Sequence, residues 1–88
     1  MGFQVKEIQA TPNPNAAKFV LDREISDRPV SFLQAAEGME HPVASQLFSI
    51  KGITSVLLLG DFVTINKKAE IPWKTITAKV EEILQKCE

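Results

Sequence analysis

Hydrophobic and polar positions follow a period of two through most of the chain and switch to helical spacing twice. Phe3 to Ala10 is rich in β-favouring residues, with Phe3 and Val5 on one face and Ile8 on the other, which predicts a strand carrying a bulge or a face switch. Ala17, Phe19 and Leu21 alternate with Lys18, Val20 and Asp22, so a second strand follows. Between the two, Thr11-Pro12-Asn13-Pro14-Asn15 removes two backbone donors and supplies side chains that hydrogen-bond locally, the chemistry of a loop joining an antiparallel hairpin. Asp22 to Pro29 is polar, and Val30 to Leu33 is expected to form a short strand at a sheet edge, because Pro29 precedes it.

The first helical signal comes after the break at Glu37-Gly38-Met39-Glu40. Pro42 suits a first helical position, Val43, Leu47, Phe48 and Ile50 form an apolar stripe, and Gly52 can end the helix at positive φ. Ser55 to Leu59 and Phe62 to Asn66 then flank Gly60-Asp61, the composition of a two-residue type II′ hairpin turn. In that hairpin Val56, Leu58, Val63 and Ile65 are expected to face the helices, with Leu57 and Phe62 on the opposite register. After Pro72, the residues Trp73, Ile76, Val80, Ile83, Leu84 and Cys87 recur at helical spacing and predict an amphipathic C-terminal helix. The order of elements predicts an α+β fold: an antiparallel sheet of four to five strands with two helices packed on one face.

Composition narrows this picture. A chain of 88 residues that is 44% hydrophobic fits a single domain, residues 1–88, with little apolar surface left over for a deep substrate cavity. Ten Lys plus Arg balance eleven Asp plus Glu, and the longest like-charged runs, Lys67-Lys68 and Glu81-Glu82, are adequately explained as solvated surface. Nucleic acid is therefore not expected as a partner. The N-terminal ten residues contain Lys6 and Glu7 and no continuous apolar stretch, so neither a signal peptide nor a membrane anchor is expected. A lone cysteine, Cys87, gives no support for an oxidising compartment, and a cytoplasmic location fits best.

Candidate chemistry is sparse. The single histidine, His41, has no nucleophile that would make it part of a triad, and its place directly before Pro42 reads as a helix N-cap. The four glycines are scattered and build no phosphate cradle. Asp61, Glu81 and Glu82 read as solubilising charges. A metal centre gathers several ligands, whereas Cys87 and His41 are single and far apart. Cys87 remains a candidate ligand only for iron or a cluster bridged between chains.

Two segments carry a family resemblance: TPNPNAAKF, residues 11–19, and PVASQLFSIKGITSVLLLGDFVTINK, residues 42–67. With Trp73 opening the last helix, this combination resembles the N-terminal domain of the Nfu-type iron–sulfur cluster scaffold proteins over nearly the whole chain. His41 departs from the small capping residue expected there. In full-length Nfu proteins a second domain carries a CxxC motif whose thiolates hold the cluster, and this sequence has no such motif.

The resemblance therefore implies a non-enzymatic accessory protein of iron–sulfur cluster assembly, with assembly or target proteins as partners. It implies no cofactor bound by the chain alone; iron or a cluster would be reached through partners. Asn13, Pro14, Asn15, Lys18 and Phe62 are the candidate partner-binding residues, since rigid loops on a scaffold concentrate such functions. Direct iron or cluster binding by an oligomer and a protein-interaction domain unrelated to iron are the alternatives. The sequence sets no oligomeric state.

Overall fold

The computed structural model describes residues 2–34 and 41–86. Five strands form one antiparallel sheet: β1 (Val5–Ala10), β2 (Ala16–Leu21), β3 (Ser26–Phe32), β4 (Ile53–Gly60) and β5 (Phe62–Lys67). Their spatial order is β1-β2-β5-β4-β3, so β1 and β3 are the edges. Among the described residues two helices, α1 (Pro42–Phe48) and α2 (Trp73–Lys86), lie on one face of the sheet. This is the expected α+β arrangement.

Register explains which side chains go inside. Ala17 and Phe19 of β2 stand opposite Ile65 and Val63 of β5, which in turn stand opposite Val56 and Leu58 of β4. These six side chains share one face, and all are buried. Leu47 of α1 and Ile76, Val80 and Leu84 of α2 close over them and are themselves fully buried. Each large aliphatic side chain removed from water in this way contributes roughly 1.5–3 kcal/mol before the entropy of ordering is subtracted. The alternate positions Lys18, Val20, Leu57, Phe62 and Thr64 line the opposite, helix-free face and are half-buried.

The turns follow from their residues. Leu59 pairs with Phe62 across Gly60-Asp61. Gly60 has φ 57° and Asp61 has none of the positive φ that a type I′ turn would need, the sign pattern of type II′. Gly52 ends the segment after α1 at φ 104°. His41 caps α1 through its imidazole, whose Nδ1 accepts from the backbone N–H of Val43 and of Ala44, both at 3.2 Å.

Four expectations change. The edge strand β3 begins at Ser26 rather than Val30 and runs through Pro29, while Leu33 lies beyond it and is exposed. Proline is tolerated there because an edge strand has one side that needs no N–H, and the pairing with β4 shifts register between Ser26 and Val30. Phe3 precedes β1 instead of joining it; its N–H donates to the Leu84 carbonyl at 2.6 Å, supplying a partner to the last turn of α2. Phe48 is half-buried rather than part of the buried α1 stripe, which Ala44 joins instead. Lys67, read above as solvated, is buried at 8% exposure, because it continues the inward alternation of Val63 and Ile65 on β5. The break at residues 37–40 and Cys87 fall outside the described residues.

Candidate functional site

The TPNPN loop is fixed from within by its own side chains. The Thr11 hydroxyl donates to the carbonyls of Asn13 and Ala16 at 2.9 and 3.0 Å, and the Asn13 side-chain oxygen accepts from the Asn15 N–H at 2.9 Å. The latter is an Asx turn, a local closure that asparagine provides without a long-range contact.

From outside, two residues of other elements hold the loop. The Trp73 indole donates its Nε1–H to the Pro14 carbonyl at 2.9 Å, and its ring packs on Phe19 with centroids 6.3 Å apart. The Lys67 ammonium sits below the loop, 3.3 Å from Asn15 Oδ1 and from the Lys68 carbonyl, with the Trp73 ring centroid 5.3 Å away. A buried cation with no carboxylate paired to it among the described residues needs such oxygens and an aromatic face in place of water. The loop thus owes its shape to the end of β5 and the start of α2 as well as to its own sequence.

Beside the loop is an open groove of about 320 Å³ between β1 and α2, lined by Ile8, Ala10, Asn13, Pro14, Trp73 and Thr77 among others. Its walls follow from the bulge at the start of β1. Val5 faces Leu21 and Ile8 faces Phe19, so the extra residue between Val5 and Glu7 brings Val5 and Ile8 onto the same, helix-side face. On this outermost strand Ile8 is left 42% exposed.

The five candidate residues fall in two places. Asn13, Pro14 and Asn15 are together in the loop, with Asn13 and Pro14 exposed at the groove. Lys18 and Phe62 are brought together elsewhere: Lys18 Nζ lies 4.2 Å from the Phe62 ring centroid, on the helix-free face of the sheet. Val20 and Leu59 flank Phe62 in the neighbouring strands. Sequence reasoning missed Ile8, Lys67 and Thr77. The inward alternation of β5 was a usable signal for Lys67; for Ile8 and Thr77 the signal appears only once β1 is known to be an edge.

Among the described residues, no three His, Cys, Asp or Glu side chains gather as a metal-binding group. His41 is committed to its cap, its ring 5.4 Å from that of Phe32, and burial holds its pKa below the ordinary 6.5. No helix among the described residues is long and apolar enough to cross a membrane.

The chain that carries this loop on a five-stranded sheet matches a known family. The pattern of the family described as "Scaffold protein Nfu/NifU N terminal" matches residues 5–87, and the chain belongs to that family. The chain is 36% identical over 72 residues, 80% of its length, to the human mitochondrial NFU1 iron-sulfur cluster scaffold homolog, and 28% identical to a NifU-like protein of Schizosaccharomyces pombe over 93% of its length. It spans 28% and 35% of those two proteins, so it corresponds to a part of each. The solution structure of a NifU-like protein from Saccharomyces cerevisiae, 26% identical, superposes with a TM-score of 0.80 over 97% of this chain and 77% of that one. Family membership relates the chain to iron–sulfur cluster biology, and the family is one of scaffolds, generally non-enzymatic.

Proposed function

We propose that this domain is a non-enzymatic recognition module of iron–sulfur cluster assembly, which contacts assembly or target proteins while the cluster itself is cargo held elsewhere. The observation that carries this reading is the loop: Asn13 and Pro14 are exposed at a groove, yet Thr11, Lys67 and Trp73 hold the backbone beneath them. A surface fixed before encounter loses less entropy on binding, which is the use of a rigid loop in recognition. Asn13, Pro14 and Asn15 form one contact region, and Lys18 with Phe62 a second on the opposite face of the sheet.

The test is a titration of the isotope-labelled domain with purified cluster carriers and with apo-target proteins, followed by amide chemical shifts. The expected result is saturable perturbation of the loop amides and of the Trp73 indole N–H. A panel of such proteins that leaves every amide unmoved would remove the reading.

A further inference from the structure

The outer edge of β1 has no strand beside it among the described residues, and Ile8 and Ala10 of that strand line the groove. The two edges of the sheet are not equivalent. β3 carries Pro29, the exposed Asp27–Arg28 pair and a register shift, all devices that discourage a further strand. β1 has its bulge and Lys6 at the start, and after them Glu7 to Ala10 pairs regularly with Val20 to Ala17. In that regular stretch alternate residues turn their N–H and C=O groups away from β2.

We infer that β1 receives an extended segment of a partner protein as a sixth strand, with apolar side chains against Ile8 and Ala10 at the groove and a basic residue on the other face, across from Glu7. The backbone requirement selects an extended chain, since an open strand edge satisfies its donors and acceptors by strand addition. The side-chain requirement comes from alternation. On the helix side an added strand about 4.8 Å from β1 lies next to Ile8 and Ala10, which share the groove with Trp73 and Thr77. An open volume of about 320 Å³ is at the bottom of the range for small-molecule sites, roughly 300–1,000 Å³, and suits one or two aliphatic side chains.

Charge settles a position on the other face. Glu7 points to the opposite face, where the residue across from it on β2 is Val20 and its hydrogen-bond partner is the neutral Gln9 side chain. Lys18, the nearest cation in the register, is engaged over Phe62. A lysine or arginine on the added strand would therefore meet a carboxylate that has no cation opposite it within the sheet.

This inference rests on the recognition reading and gives its partner a chemistry: an extended segment in which apolar and basic residues alternate. The probe is the peptide acetyl-Val-Lys-Val-Lys-Val-amide, titrated into the labelled chain alongside its counterpart with glutamate at both lysine positions. The expected result is saturable shifts of the Glu7 to Ala10 amides, the Thr77 amide and the Trp73 indole N–H, with the glutamate peptide about two- to fivefold weaker. In Glu7→Lys the preference between the two peptides reverses, and that variant changes one exposed side chain without touching the core.

The inference is overturned by the absence of saturable shifts, by shifts confined to Lys18 and Phe62, or by an unreversed preference in Glu7→Lys. It is also overturned if the β1 amides shift with protein concentration alone, which would seat a second copy on the edge. If cluster proteins perturb the loop while the peptide leaves β1 unmoved, strand addition fails and the recognition reading stands. The reverse pattern sinks the recognition reading.

Discussion

At the scale of single residues, three side chains fix the local structure at the helix starts and beneath the loop: His41, Lys67 and Trp73. His41 is a cap that titrates. Its Nδ1 must be unprotonated to accept from Val43 and Ala44, and burial lowers its pKa from 6.5, so the unfolded chain takes up the proton first. The capping contribution, about 1 kcal/mol, is complete above pH 6.5 and is lost as the pH falls through the lower folded value. Urea unfolding at pH values stepped down from 7.5 should show wild type losing stability relative to His41→Asn, which caps without titrating; parallel profiles would contradict the assignment. The position was legible because a residue directly before Pro42 reads as a cap.

Lys67 is the opposite case. Its neighbour Lys68 is exposed, and nothing about a lysine announces burial, although its parity on β5 does. Lys67→Met keeps the stem and removes a buried charge, so global stability should change by less than about 1 kcal/mol, or rise. The loop is where the loss is expected: Asn15 Oδ1 loses its donor, and its amide region should exchange hydrogen faster. Trp73→Phe keeps a ring against Phe19 but deletes the bond to the Pro14 carbonyl, and should cost about 1 kcal/mol in equilibrium unfolding.

At the scale of elements, the chain was most readable where turn chemistry and alternation coincide. Gly60-Asp61 between two apolar runs fixed the β4–β5 hairpin, and the proline–asparagine loop fixed β1–β2. The first half of β3 was not readable, since Ser26-Asp27-Arg28-Pro29 is polar and its strand conformation comes from pairing with β4 at an edge, a tertiary effect. The two positive-φ glycines separate local from tertiary demands. A Cβ at Gly60, φ 57°, would meet nothing within 4 Å, whereas one at Gly52, φ 104°, would come 2.7 Å from the Ile71 side chain. Gly60→Ala should therefore cost the backbone term alone, roughly 1–2 kcal/mol, and Gly52→Ala clearly more. Thermal unfolding of the two variants side by side checks the ordering, and equal losses would show that Ile71 yields freely.

At the scale of the whole molecule, one helix layer on one face of a sheet leaves two distinct surfaces for contact, and the candidate residues divide between them. The sequence brought them together because Lys18 follows the loop closely, and strand alternation then sends its side chain to the other face. The division is open to experiment through stability. A domain of this size holds on the order of 5–10 kcal/mol, so Phe19→Ala, which empties a fully buried ring site, should cost about 3–5 kcal/mol and leave the fold marginal. Phe62→Ala removes a half-buried ring covered by Lys18 and should cost nearer 1 kcal/mol, leaving a folded protein with only the open face altered. Ile8→Ser likewise alters only the groove at an exposed position. With both variants folded, the affinity of each for a bound assembly protein, read by calorimetry, assigns the contact. Recognition through the loop and the β1 edge requires Ile8→Ser to weaken binding about tenfold or more, the scale of a lost apolar anchor, and Phe62→Ala to leave it unchanged. The inverse result would place the partner on the sheet, over Lys18 and Phe62, and leave the groove without a role in that encounter.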